Sequence, residues 1–320
     1  MSFKIEPIAG DASFRKFYRL IFKTGTKIAV VSNKEKYKNL NIYSAINSFL
    51  RHKKILTPKL YNYNFSKGII IIEDFGNLSF YKLLKRKNKF FFYKKLVDFL
   101  LKIQKIKIDS KIKKINGGIY KLEKYSKKNL FKESNLFFDW YLPLFLSKKK
   151  SAIIKKRSNK VLLKIYNKLY FSNSCFVHRD YHAQNLIKVG KKIGVIDNQD
   201  ALIGNPAYDL ASLIDDVRIK TSKKLKNQIY NYYLKKGPKI YRKNSQKFYE
   251  DYKILSVQRS LKIIGIFSRL FVRDKKKQYL KFIPYTWKLL EMRMNSKIFS
   301  ELEMILKKNI PKKFKKIIIY

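Results

Sequence analysis

The run Phe176-Val177-His178-Arg179-Asp180-Tyr181-His182-Ala183-Gln184-Asn185, followed by Gly194-Val195-Ile196-Asp197, concentrates the residues of this chain best suited to chemistry. An aspartate five residues ahead of an asparagine, with a second aspartate closing the next apolar run, supplies the groups that phosphoryl transfer needs. Asn185 offers an amide oxygen and Asp197 a carboxylate, hard ligands suited to Mg²⁺ carrying nucleotide phosphates rather than to zinc. Asp180 is then the carboxylate that accepts or orients the proton of an attacking hydroxyl. For these groups to meet, Leu186 to Val189 and Ile193 to Ile196 must pair as an antiparallel hairpin across Gly190-Lys191-Lys192, which returns Asn185 to the side of Asp197.

A turn-rich segment from Asp200 to Pro206 leads into an apolar helical start, where Asp209 either caps the helix or supports the catalytic loop from below. Only eleven residues separate Asp197 from Asp209. Protein kinases use a long segment at this point to dock a peptide, so the acceptor here is expected to be a small molecule. His178 and His182 are spaced i,i+4, yet Arg179 stands where a zinc helix of the H-E-x-x-H type needs glutamate, and the third histidine is the remote His52. His178 is expected instead to hold the loop backbone with its ring.

This arrangement resembles the aminoglycoside phosphotransferase-like superfamily. Three further segments are similar to the bacterial N-acetylmuramate/N-acetylglucosamine 1-kinase family, the anomeric sugar kinases of cell-wall recycling. They are Gly10-Asp11-Ala12-Ser13-Phe14-Arg15-Lys16-Phe17-Tyr18-Arg19; Asp197-Asn198-Gln199-Asp200-Ala201, where that family usually has Phe in place of Asn198; and Val257 through Arg269 with Arg273-Asp274 and Tyr279-Leu280. The resemblance implies an α+β, protein-kinase-like two-lobed fold, with a small antiparallel-sheet N-lobe and a mostly helical C-lobe. It implies ATP and Mg²⁺ as cofactors, with Asp180 catalytic and Asn185 and Asp197 as metal ligands. Main-chain groups of Asp11, Ala12, Ser13 and Phe14 would lie over the nucleotide phosphates. The backbone of residues 73 to 75, Glu73 and Phe75 included, would meet the adenine edge, and Gly76 would ease the turn that follows. Gln199, Asp200, Arg259 and Arg269 are candidates for sugar recognition, and each serves equally well as a packing or salt-bridge residue. The implied activity is transfer of the γ-phosphoryl group of ATP to the anomeric hydroxyl of N-acetylmuramate, N-acetylglucosamine or both.

The chain also departs from the pattern. The strand Lys27 to Ser32 does not end in the usual lysine, and no acidic residue lies between Lys36 and Ile72 to partner one. Lys34, just past that strand, either reaches the phosphates or, as is more usual on a lysine-rich surface, stays solvated. Two other functions stay open. An aminoglycoside-, choline- or amino-acid-type alcohol is a possible acceptor, although cationic acceptors call for acidic clusters and Asp215-Asp216 is the sole obvious pair in the second lobe. A non-enzymatic basic polyanion-binding protein is the other, although it would not need Asp180, Asn185 and Asp197 together.

The elements expected to position these groups are strands near residues 3–8, 14–22 and 27–32, a helix with Ile42, Ile46, Phe49 and Leu50 on one face, and strands around 59–65 and 68–73. Amphipathic helices are expected near 78–87, 89–104, 120–145 and 151–171, then the catalytic hairpin, then helices to the end. The corresponding lobes are 1–76, nucleotide-binding with a hinge at 73–76, and 77–320, helical with the catalytic loop and substrate site. The aromatic residues between Asn135 and Tyr141 are read as core.

The net charge of +52 comes from 74 Lys and Arg against 22 Asp and Glu. The lysines are spread over nearly every segment alongside abundant Ile, Asn, Tyr and Phe, the signature of an A/T-rich coding sequence rather than of a dedicated nucleic-acid surface. The clusters Lys307-Lys308, Lys312-Lys313 and Lys315-Lys316 read as solvated faces. A single cysteine, Cys175, excludes an internal disulfide and sits in a run typical of a buried strand. No apolar run is long enough to span a bilayer, and the first residues lack a secretory pattern. The expected partner is therefore a small amino sugar in the cytoplasm, with no specific nucleic acid and no membrane insertion.

Overall fold

Apolar residues at every second position build the first sheet of the computed structural model, which describes residues 3–8, 15–32, 37–86 and 88–316. Its strands are β1 (Lys4–Ile8), β2 (Lys16–Phe22), β3 (Gly25–Val31), β4 (Leu60–Asn64) and β5 (Ile69–Glu73), in the order β1-β2-β3-β5-β4. Every neighbouring pair is antiparallel, with Ile28 opposite Ile72 and Val30 opposite Ile70. One helix, α1 (Tyr37–His52), covers this sheet, so that Leu40 and Tyr43 close a core with Ile28, Val30, Phe65, Ile70 and Ile72.

The inward face of α1 differs from the expected one. Ile46 and Leu50 are buried, but Ile42 and Phe49 are half-buried, while Asn41, Ser44 and Asn47 are buried in their place. Hydrogen bonds define that face. Asn47 Oδ1 accepts from Asn198 Nδ2 at 2.9 Å, and the Asn47 carbonyl accepts from Thr57 Oγ1 at 2.8 Å. A hydrophobic period is blind to such contacts.

The chain continues through α2 (Phe80–Leu84), α3 (Lys89–Gln104) and a small hairpin of β6 (Lys111–Lys113) and β7 (Ile119–Lys121). This hairpin occupies the start of the helix expected from residue 120. Gly117 and Gly118, at φ +88° and +77°, make a turn that L side chains rarely adopt, and three-residue strands are too short to show a period. After residue 174 come β8 (Cys175–Val177), β9 (Leu186–Val189), β10 (Lys192–Val195) and β11 (Leu202–Gly204), with β11 beside β8 and Cys175 buried. Residues 1–123 and 175–203 form one compact unit and residues 124–174 and 204–320 a second.

The second unit is helical: α4 (Lys127–Leu136), α5 (Lys148–Tyr166), α6 (Ala207–Ile214), α7 (Lys223–Lys236), α8 (Lys239–Lys243), α9 (Ser245–Asp274), α10 (Ile283–Met294), α11 (Ser300–Asn309) and α12 (Lys312–Lys315). Ser126, Ser147 and Ser222 start α4, α5 and α7 by accepting a hydrogen bond from the third backbone N–H of each helix. The aromatic residues after α4 are core: Phe137, Phe138 and Tyr141 are buried, Phe137 meets Trp287 edge-on, and Trp287 Nε1 donates to the Tyr141 hydroxyl at 2.9 Å. No described helix is long and apolar enough to cross a membrane.

The thirty-residue α9 is the axis on which α4, α6 and α10 pack. Gly265 makes the close approach to α4 possible, because a Cβ there would stand 2.2 Å from the Leu136 carbonyl carbon and 2.4 Å from the Phe137 nitrogen. Backbone cannot swing aside as a side chain can. Gly265→Ala should therefore destabilise the protein by about 1–3 kcal/mol, as overpacking does, although alanine is intrinsically the better helix former by about 1 kcal/mol. A urea melt of the variant checks the sign, and stabilisation would contradict it.

Candidate active site

The β9–β10 hairpin aligns Val195 with Leu186 and turns through Gly190 at φ +55°. One bond past the last strand pair, Ile196 N–H donates to the Asn185 carbonyl at 3.1 Å, which brings Asn185 and Asp197 to the same open end. The hairpin is tied down on both edges, by Lys188 N–H to the Leu78 carbonyl at 2.8 Å and Val195 N–H to the Leu56 carbonyl at 2.9 Å. Its position is set by main chain, so the two polar residues at its mouth inherit a fixed location.

His178 joins the loop to this hairpin. Its Nδ1 accepts from Asp180 N–H at 3.2 Å, which leaves Nε2 as the donor to the Ile196 carbonyl at 2.9 Å. The Asp180 carbonyl accepts from His182 N–H at 2.8 Å and from Asn185 Nδ2 at 3.1 Å. With Nδ2 so held, the end of Asn185 suited to a hard cation is its amide oxygen. Tyr181 anchors the loop in the core, its hydroxyl donating to the Leu96 carbonyl at 2.8 Å. Arg179 takes a left-handed conformation at φ +72°, uncommon for a long side chain, and its guanidinium donates to the Asp200 carbonyl at 3.0 Å. Together these bonds fix the loop, in which Asp180 is half-buried.

Asp197 is also left-handed, at φ +67°, and half-buried. Its Oδ1 accepts from Gln199 Nε2 at 2.9 Å and lies 3.8 Å from an Arg15 guanidinium nitrogen, which in turn donates to Gln199 Oε1 at 3.2 Å. Gln199 Nε2 also donates to Asp200 Oδ2 at 3.1 Å, so both ends of that amide are engaged. Burial pushes the Asp197 carboxyl up, Arg15 and the Gln199 hydrogen bond pull against it, and the Asp180 carboxylate adds to the rise. A carboxyl whose charge is under-compensated by its surroundings, next to an amide oxygen and a second carboxylate, fits a divalent cation.

At the end of the first sheet, Glu73 N–H donates to the Lys59 carbonyl at 2.8 Å, and the Glu73 carboxylate accepts from Lys59 N–H and Arg51 at 3.1 Å each. Asp74 fixes the turn that follows. It accepts from Arg19 at 2.6 Å, Thr26 at 2.8 Å and Gly76 N–H at 2.7 Å, and Gly76 stands at φ +75°. Burial alone would raise the Asp74 carboxyl, but Arg19, Gly76 and Thr26 together hold it below its ordinary value. The Phe75 ring lies against Gly194, where a Cβ would come within 2.5 Å of it.

Asp11, Ala12, Ser13 and Phe14 lie outside the described residues, as does Lys34. Arg259 and Arg269 sit on α9 of the second unit. Arg259 is buried and its Nε has no hydrogen-bond acceptor among the described residues, whereas Arg269 is half-buried. Asp209 is fully buried within α6. A cavity of about 550 Å³ between α1 and β4, lined by Tyr43, Ser44, Arg51 and Tyr61 among others, includes none of Asp180, Asn185 and Asp197. The side chains of Arg15, Asp74 and Asn47 carry much of this geometry, although the sequence suggests a role only for the Asp74 backbone; the sequence signal for Arg15 is its place in the N-terminal signature.

Comparison with known proteins bears on the family and the fold. The family model for APH, described as "Phosphotransferase enzyme family", matches residues 4–243. A protein of Neisseria meningitidis named N-acetylmuramate/N-acetylglucosamine kinase is 25% identical over 86% of this chain and 81% of its own length. One of the same name from Pseudomonas aeruginosa is 27% identical over 89% of this chain and 82% of its own. Among solved structures, a Plasmodium vivax ethanolamine kinase superposes with a TM-score of 0.62 at 13% identity, covering 94% of this chain and 84% of that one. An ADP-bound aminoglycoside phosphotransferase gives 0.60 at 15% identity, covering 90% and 92%. The antiparallel sheet and helical remainder are thus those of a kinase-like fold.

Proposed function

Because the chain belongs to the phosphotransferase enzyme family, we propose that it transfers the γ-phosphoryl group of ATP to the anomeric hydroxyl of N-acetylmuramate, N-acetylglucosamine or both. Family membership implies ATP as donor, and the relatives matched over most of their length are named for these two sugars. The observation that carries the reading is the convergence of Asp180, Asn185 and Asp197 on one loop and hairpin held by His178. Solved structures with other acceptors in their names are too distant in sequence to compete, at 13–15% identity.

In this proposal the Asp180 carboxylate receives the proton of the sugar hydroxyl as its oxygen attacks. Asn185 Oδ1 and the Asp197 carboxylate hold Mg²⁺, which when bound would neutralise charge on the transferring phosphoryl group. Residues 1–76 act as the nucleotide lobe and 77–320 as the helical lobe. Asp11, Ala12, Ser13 and Phe14 cover the phosphates. Glu73 N–H is committed to the sheet, so the Glu73 carbonyl with the Asp74 and Phe75 backbone would meet the adenine edge. Gln199, Asp200, Arg259 and Arg269 recognise the acceptor, and the buried guanidinium of Arg259 suits an anionic group. A cytoplasmic location, where ATP is abundant, belongs to the same proposal.

The test is ADP release by the purified protein with Mg-ATP and N-acetylmuramate, N-acetylglucosamine, choline or an aminoglycoside, with Asp197→Ala as the blank and phosphorus NMR on the product. An anomeric phosphate formed only from the N-acetyl sugars is the expected result. Turnover of another acceptor alone would discard the substrate and keep the chemistry.

A further inference from the structure

Among the described residues, β3 and α1 show no pairing of the strand lysine and helix glutamate that kinases commonly use to engage the nucleotide phosphates. The only cation on β3, Lys27, is turned elsewhere, its ammonium 5.4 Å from the Phe22 ring and 4.7 Å from the Tyr61 ring. No acidic residue occurs in α1. Two other guanidiniums near the sheet pair at its end, Arg19 with Asp74 at 2.6 Å and Arg51 with Glu73 and the Thr57 carbonyl.

Arg15 is placed differently. It precedes β2 directly, its side chain is only 12% exposed, and its guanidinium stands 5.8 Å from the Tyr43 ring of α1. From there it touches the Asp197 turn, hydrogen-bonding neutral Gln199 at 3.2 Å while stopping 3.8 Å from the Asp197 carboxylate. At that distance the two charges attract. α1 is joined to the same turn by the Asn47–Asn198 amide pair. A cation resting on α1 and reaching the proposed metal-binding carboxylate occupies the functional position that a strand lysine and its helix partner would fill.

We propose that Arg15 is the side-chain cation that binds the phosphates of the nucleotide, and that through Gln199 it also orients the Asp197 carboxylate. The inference rests on the reading that the chain binds ATP. A guanidinium matches phosphate oxygens with two parallel donors, which a single ammonium does not, so the site takes a nucleoside di- or triphosphate and gains little from a nucleoside alone.

The experiment is titration calorimetry of the wild type, Arg15→Met and Arg15→Lys with ADP and with adenosine, each with Mg²⁺, alongside KM for ATP and a thermal melt. Arg15→Met should weaken ADP by about 10- to 100-fold, the range expected for a charged hydrogen-bonded contact, while adenosine affinity and the melting temperature stay unchanged. Arg15→Lys should recover part of the ADP affinity, and KM for ATP should rise in both variants. Equal losses for ADP and adenosine in the lysine variant, or no loss of ADP in either, would overturn the proposal. A wild type that binds neither ligand would instead overturn the kinase reading itself.

Discussion

Asp180→Asn should lower kcat by about 10²- to 10⁴-fold, the usual contribution of a positioned proton acceptor, with the melting temperature unchanged. The bonds that shape the loop are made by the Asp180 backbone, its N–H to His178 and its carbonyl to His182 and Asn185. An isosteric amide leaves them in place while it removes the negative charge. Asp197→Ala separates a second role. With the carboxylate gone, the Mg²⁺ dependence of nucleotide binding should disappear as well as turnover, whereas Asp180→Asn should bind Mg-ADP nearly as the wild type does. Steady-state rates and Mg-ADP titrations on both variants check this pair of outcomes. Loss of Mg-ADP affinity in Asp180→Asn, or most of the activity retained there, would remove Asp180 from the chemistry.

The candidate catalytic segment was legible because its information is local. The β9–β10 hairpin needs only two apolar runs and a glycine turn, and Asn185 meets Asp197 as a result of that pairing. The sheet was readable for the same reason, since short runs rich in β-branched residues, such as Ile28–Val31 and Ile69–Ile72, mark its strands. What escaped is carried by polar contacts between distant residues. The Arg15–Gln199 hydrogen bond spans 184 positions and the Arg19–Asp74 pair 55, and neither leaves a local trace. On α1, Asn47 is buried through its contacts with Asn198 and Thr57, which the apolar period of Ile42, Ile46, Phe49 and Leu50 does not reveal. Asp215 is a similar case. Beside Asp216 it reads as part of an acidic pair open to a cationic ligand, but it is buried among cations from two other helices.

That burial makes Asp215→Asn the largest stability effect expected outside the catalytic segment. Both carboxylate oxygens are used: Arg293 donates at 2.8 and 2.9 Å, Lys226 at 3.0 Å and Ser256 at 2.6 Å, and Arg293 reaches Tyr252 as well. All four charged and hydroxyl partners are buried, so removing the one negative charge strands two cations away from water. The loss should be about 3–5 kcal/mol, as for other broken buried pairs, and should lower the melting temperature by on the order of 10 °C. Acid should produce the same loss in the wild type. Burial by itself would raise the Asp215 carboxyl, but Lys226 and Arg293 outweigh it and hold the group well below the usual carboxylate range. A folded value below the unfolded one, about 3.9, means the stabilisation is complete above roughly pH 5 and fades as pH falls through the unfolded value towards the folded one. Urea melts of both proteins between pH 6 and pH 3 should therefore show wild type and Asp215→Asn far apart at the upper end and converging at the lower. A gap that stays constant with pH, or one below about 1 kcal/mol at pH 6, would mean that the helical unit does not depend on this ion pair.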